Sequence, residues 1–278
     1  MKQLLVPINF SEVAKAALPF AAAVARKHGS IITLLTSGAS PLTEDNLSQE
    51  LGRDLPKEMA TRQFVLREAL EELAAPYQQN GLAFDFVIQD GIVMRDIVKE
   101  AEAKSYDLIV MGTKGVQIPA EEIWGTFAAN LISEVDTPML IVPEGNQPAA
   151  INRIVLATDL KGDQTGYIAR LRALKDIFHA ELSCLHITQE PEQSGEIETL
   201  DLTADYFFTP IDPVNVEIRY DERVSQGLKA YLEEHRSSIL AIRPQHRGFI
   251  ESLFHTSVSR QLALHSQNPI FILRDEKR

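Results

Sequence analysis

Three apolar runs in the first half of the chain return, in the same order, in the second half. Leu4-Leu5-Val6-Pro7-Ile8-Asn9 recurs 150 positions later as Ile154-Val155-Leu156-Ala157-Thr158-Asp159. Leu108-Ile109-Val110-Met111-Gly112 recurs as Ile239-Leu240-Ala241-Ile242-Arg243, and Pro138-Met139-Leu140-Ile141-Val142 as Pro269-Ile270-Phe271-Ile272-Leu273. Two copies of one plan imply two cores, and 278 residues is near the size at which a single core stops growing. We read two domains, 1–145 and 151–278. They are joined by Pro143-Glu144-Gly145-Asn146-Gln147-Pro148, a short polar stretch punctuated by proline and glycine. The offset falls to 131 by the last runs, so the second copy lacks 19 residues, lost between its second and fourth strands.

Short β-branched runs alternate with segments of helical period, the pattern of a parallel α/β sheet. The expected fold class is α/β: two doubly wound, five-stranded, Rossmann-like domains in tandem. Strands are expected at 3–8, 30–36, 83–88, 106–111 and 138–142, then at 152–158, 181–187, 214–220, 238–242 and 269–274. Their apolar runs are continuous, as in strands covered by helices on both faces. Val13, Ala16, Ala17, Phe20, Ala21 and Val24 recur at helical spacing, with Ser11 placed to cap that helix and Gly29 to end it. Pro19 falls inside it and is expected to bend it. Residues 38–56 read as a polar surface excursion, 57–77 as a helix with Glu71 and Glu72 on its wet face. Residues 189–213 read as an acidic loop leading to a short helix or irregular cover, with Tyr206-Phe207-Phe208 as filler over the sheet.

The net charge of -12, with no local basic cluster, argues against a nucleic-acid partner or an anionic membrane surface. Cys184 is the one cysteine, in an apolar run, and reads as a buried structural thiol. No apolar run approaches the roughly 20 residues that span a bilayer, and Met1-Lys2-Gln3 leads straight into a strand rather than a signal peptide. The expected setting is the cytoplasm.

In an open parallel sheet, ligands bind beyond the carboxyl ends of the strands where the strand order reverses. Two segments of the first half reach that edge: Pro7-Ile8-Asn9 after strand one, and Gly112-x2-Gly115-x9-Gly125-Thr126 after Met111 on strand four. Gly112 and Gly115 can form an N–H nest for phosphate, and Gly125-Thr126 is expected to open the next helix, offering further donors and a favourable dipole. The alternative is that the glycines only turn the chain.

Strand, Gly-x2-Gly, nine residues, Gly-Thr, helix and strand together resemble the universal stress protein family. Leu108 to Gly115 and Thr137 to Pro143 are similar to that family's closing third, and Leu5 to Glu12 to its opening strand and turn. The resemblance covers both halves, and it implies a strand order 3-2-1-4-5. It also implies an adenine nucleotide, ATP with Mg²⁺, held by Pro7, Asn9, Met111, Gly112, Gly115, Gly125 and Thr126. Asn9 stands where the family usually has aspartate, and Ser37 falls near the family's apolar adenine contact. Glu121 and Glu122 lie in the spacer, where Mg²⁺ would offset their charge. Family members commonly dimerise through their last strands. Met139–Val142 and Ile270–Leu273 would then pair antiparallel as an intramolecular pseudo-dimer, with a homodimer of the whole chain left open.

The second half keeps the aspartate, Asp159, but Arg243, His246 and Thr256 replace the three glycines and only Ser257 keeps the hydroxyl. Bulky side chains there imply a site that no longer binds nucleotide. Arg243, His246 and Arg247, near His255, form a candidate anion site, or pair with local acids such as Glu251. Trp124 and Phe254 end the two spacers and read as packing residues. No Walker loop, Ser-Gly-Gly-x-Asp-Ser or His-x-Gly-His motif occurs, and the seven histidines lack metal-ligand spacing, His28 and His179 standing at helix C-termini. The function expected is a stress-response protein binding ATP in its first half and signalling to an unidentified protein partner. At most it hydrolyses ATP slowly. The competing readings are a nucleotide-free interaction scaffold and a sensor of a small acidic ligand.

Overall fold

A computed structural model describes residues 1–113, 122–160, 165–191, 195–197, 214–243 and 266–274. The chain divides into two compact units, the first ending at Gly145 and the second resuming at Asn146. Within the stretch 143–148, Glu144 bonds to Thr113 through its N–H (2.8 Å), whereas the Asn146 amide donates to the Gln267 carbonyl (2.8 Å).

The first unit runs β1 (Gln3–Pro7), α1 (Glu12–Lys15), α2 (Ala17–His28), β2 (Ile31–Ser37), α3 (Pro41–Leu51), α4 (Met59–Gln78), β3 (Ala83–Gln89), α5 (Val93–Ala103), β4 (Leu108–Thr113), α6 (Glu122–Glu134) and β5 (Met139–Pro143). All five strands are parallel, in the order β3-β2-β1-β4-β5. Every residue of β4 and β5 is buried, as is the middle of β1, which accounts for their unbroken apolar sequence.

Two details differ from the sequence reading. The first helix is not bent at Pro19 but broken at Ala16, so Pro19 sits in the first turn of α2, where a missing N–H costs nothing. Ser11 does cap α1, its Oγ accepting from the Ala14 N–H (3.2 Å), and Gly29 does end α2 with φ 64°. Residues 38–56 are no loose excursion: they carry α3, started by Pro41 at its first position and stopped by Gly52 at φ 66°. Leu47 and Thr43 bury that helix, and Lys15 ties it to α1 through Glu50 (3.1 Å).

The second unit runs β6 (Arg153–Ala157), α7 (Thr165–Phe178), β7 (Glu181–Thr188), β8 (Gly195–Ile197), β9 (Asn215–Tyr220), α8 (Val224–Glu234), β10 (Ser238–Ile242) and β11 (Ile270–Ile272). Five parallel strands take the order β11-β10-β6-β7-β9. A sixth, β8, pairs antiparallel with the outer edge of β9, where a loop leading to a helix or irregular cover is expected from sequence. The shortening of the repeat falls in this stretch: residues 38–82 join β2 to β3, whereas 189–214 join β7 to β9. Tyr206-Phe207-Phe208 lies outside the described residues.

The repeat extends to backbone conformations that sequence hides. Phe10 and Leu160, 150 positions apart, both take positive φ (61° and 58°). His179 takes φ 53° at the place where the first repeat uses Gly29. Cys184 is buried, and burial pushes its thiol up to about 12. Among the described residues no helix is long and apolar enough to cross a membrane.

Candidate functional site

The strand order of the first unit reverses between β1 and β4: β2 and β3 lie beyond one of them, β5 beyond the other. This is where an α/β sheet offers a crevice. The two strands pair only at Leu4↔Leu108 and Leu5↔Ile109, while β1 stays paired to β2 through Pro7↔Leu35 and β4 to β5 through Thr113↔Pro143. The backbone ladder between β1 and β4 thus ends before the carboxyl ends of both strands.

Pro7 is the cause. Backbone groups alternate in direction along a strand: the Gln3 carbonyl faces β4, accepting from the Asp107 N–H (2.9 Å), and the Ile8 N–H faces β2, donating to the Leu35 carbonyl (2.7 Å). Pro7 shares the direction of Gln3, so the N–H it lacks is the one that would continue the ladder to β4. The second repeat supplies the control. Ala157 stands at the place of Pro7, and there the β6–β10 ladder runs on to Ala157↔Ile242. The early end of the ladder is a property of the first repeat alone.

Asn9 follows the end of β1 and is buried. Its Oδ1 accepts from the Ser11 hydroxyl (2.7 Å) and the Ser11 N–H (3.3 Å), so the side chain holds the turn into α1. The Asn9 carbonyl accepts from the Asn46 amide of α3 (2.9 Å). Sequence reasoning missed Asn46 because it read this segment as a surface excursion. The proline-to-glycine framing of α3 was the signal available.

Met111 is buried on β4 and paired with Ile141. Gly112 is itself a β4 residue, paired with Val142, so it sits in an extended strand rather than in a positive-φ nest. A Cβ on it would lie 1.7 Å from the Val13 carbonyl oxygen, so glycine is required where α1 crosses the end of β4. Gly125 and Thr126 do not open α6: the helix begins at Glu122. The Thr126 N–H is then inside the helical ladder, and the free donors of the first turn lie before it. Gly115 is outside the described residues, as are the side chains of Trp124, Gly125 and Thr126. Ser37 is buried with its hydroxyl on the Gly91 carbonyl (3.0 Å), and Asp96 accepts from the Gly91 N–H (3.1 Å).

In the second unit Arg243 follows β10, its guanidinium carbon 4.6 Å from the Tyr167 ring centre. Tyr167 aligns with Ala17, so a bulky pair stands where the first repeat has Gly112 and an alanine. The Thr158 carbonyl, one residue before Asp159, lies 2.9 Å from the His186 ring. His246, Arg247, Glu251, Phe254, His255, Thr256 and Ser257 lie outside the described residues. Among the described residues no three His, Cys, Asp or Glu side chains gather as a metal site.

The model of the Universal stress protein family matches residues 1–143. The chain is 28% identical over 143 residues to Universal stress protein Sll1654 of Synechocystis, spanning 51% of this chain and 85% of that protein. It is 21% identical over an alignment of 290 residues to a universal stress protein of Mycolicibacterium smegmatis, spanning 98% of this chain and 96% of the relative. The crystal structure of a universal stress protein from Archaeoglobus fulgidus superposes with a TM-score of 0.67 at 17% identity over 98% of both chains, a likeness of fold. With its β1 and β4 runs and its glycine loop all inside the matched region, the chain belongs to the universal stress protein family.

Proposed function

We propose that this is a cytoplasmic stress-response protein whose first unit binds an adenine nucleotide, ATP, at the carboxyl ends of β1 and β4. The observation that carries the reading is the ladder: it stops at Leu5↔Ile109 in the first repeat and runs on to Ala157↔Ile242 in the second. The first repeat carries in its sequence both the proline that ends the ladder and the glycine loop, and the second carries neither. The residues present fit a nucleotide. Gly112, packed against the α1 backbone, ends β4 without a side chain, and Asn9 adds a buried polar group without charge after β1.

Pro7 and Met111 would border the base and sugar. Gly112 and Gly115, with the first turn of α6 ahead of Gly125 and Thr126, would face the phosphates. Mg²⁺ would offset the carboxylates of Glu121 and Glu122. Nucleotide occupancy would alter what the unit presents to a protein partner, making it a regulatory or interaction module. A cytoplasmic setting fits the single, buried cysteine. Arg243, stacked on Tyr167, fills the corresponding space of the second unit.

Isothermal calorimetry with ATP and Mg²⁺, run beside a Gly115→Asp variant, tests this. One nucleotide per chain, lost in the variant, supports the reading. Two per chain would overturn the closed second site. No heat at millimolar ATP, with the fold intact, would favour a nucleotide-free scaffold.

A further inference from the structure

The two repeats treat one sheet edge differently. β3 pairs along its whole length with β2, and among the described residues no strand pairs with its other side. β9 holds the same place in the second unit, paired with β7, and its outer side is covered by β8. The registers align the two edges. Pro7↔Leu35↔Val87 in the first unit corresponds to Ala157↔Leu185↔Glu217 in the second, so Phe86, Val87 and Ile88 match Val216, Glu217 and Ile218. Those last three are the residues that β8 covers, running antiparallel.

The uncovered edge is also the less protected. β9 carries Glu217 and Arg219, paired at 2.5 Å, whereas β3 has one charge, Asp85, ahead of Phe86-Val87-Ile88-Gln89. Natural proteins blunt an open edge with charge or cover, and this strand has little of the first. Apolar surface continues around it. Arg67 of α4 lies over the Phe86 ring (5.6 Å), and Phe64, one turn earlier on α4, is 61% exposed.

We propose that the outer edge of β3 is an interface that pairs antiparallel with β3 of a second copy of this chain. The strand is self-complementary about Val87. Val87 meets its own copy on the two-fold axis, Phe86 faces Ile88 of the other copy, and Asp85 faces the uncharged Gln89. No like charges meet, and each pair lies on one face of the sheet. An isologous contact of this kind closes both open edges at once. It places the two α4 helices on the same face of the joined sheet, since α4 covers the face that carries Phe84 and Phe86 in each copy. This goes beyond nucleotide binding and does not depend on it. With a net charge of -12 per chain, association should strengthen with added salt.

Sedimentation velocity over a concentration series tests the proposal. The expected result is a rise from 31.0 kDa towards twice that mass. Val87→Glu, which installs the residue the second repeat carries there, should restore the monomer mass with an unchanged circular dichroism spectrum. Cross-linking covers the case in which that variant fails to fold. Cys184 is buried, so Val87→Cys adds one reactive thiol on the axis, and mild oxidation should give a disulfide-linked dimer. A monomer at every concentration, a dimer that folded Val87→Glu leaves intact, or no linked species under oxidation would each overturn the proposal.

Discussion

Pro7 and Met111 stand at the places held by Ala157 and Ile242 in the second repeat, yet only the second pair is joined across the sheet. One missing N–H separates the shorter ladder from the longer one. Restoring it should extend the ladder into the strand ends where the nucleotide is proposed to sit. Pro7→Ala is expected to change stability by less than about 1 kcal/mol, because the regained ladder bond is offset by a more flexible unfolded chain. ATP affinity should fall roughly tenfold, about 1.4 kcal/mol. Calorimetry on the variant would sink this account if the affinity held.

Gly112 answers a different demand. Its Cα faces the Val13 backbone so closely that any side chain would collide with it, and backbone yields less readily than a side-chain tip. Gly112→Ala should cost about 3 kcal/mol, at the upper end of overpacking penalties. Urea denaturation measures it. A cost under about 1 kcal/mol would mean that α1 shifts freely, and that the glycine is kept for a ligand rather than for packing.

These two residues show what the chain makes legible and what it hides. The strands and the caps at Ser11 and Gly29 are legible because they rest on local spacing. The packing reason for Gly112 is not, because it depends on α1, a hundred positions away in sequence, crossing the end of β4. The helix α3 escaped because Thr43, Asp45, Asn46 and Ser48 are weak helix formers, and what holds it is a buried Leu47 and its two end residues. Strand β8 is three residues long, too short to show an alternation. The outset of α6 was misplaced because Gly125-Thr126 resembles a helix start, yet the helix begins at Glu122.

His179 offers a clean measure of backbone strain. Gly29 and His179 end equivalent helices with nearly the same positive φ, and each is followed by the same closing bond: Ser30 N–H to Ala25 O at 3.2 Å, Ala180 N–H to Lys175 O at 3.1 Å. A left-handed residue with a Cβ costs about 1–2 kcal/mol. His179→Gly should therefore stabilise the chain by about 1 kcal/mol. Gly29→Ala should destabilise it by a similar amount, since a Cβ there meets no atom within 4 Å and only the backbone is strained. Thermal melts of both variants that moved in the same direction would contradict this.

His235 gives the second unit a pH dependence of known sign. It ends α8 with its ring 4.3 Å from that of Tyr231, and its pKa is held below the ordinary 6.5, first by burial and then by Arg153 and Arg219. Glu217 and Glu234 pull the other way, as does the helix C-terminus, and they do not prevail. The unfolded chain therefore takes up this proton at a higher pH than the folded one. Stability from this group is present above 6.5 and is lost as pH falls through that value towards the lower folded pKa. His235→Gln should lower stability at every pH, because the ring contact is gone. It should also flatten the slope between about pH 8 and about pH 5, where histidine titrates. Urea midpoints across that range separate the two effects. A variant whose slope matched the parent would place the acid sensitivity elsewhere in the chain.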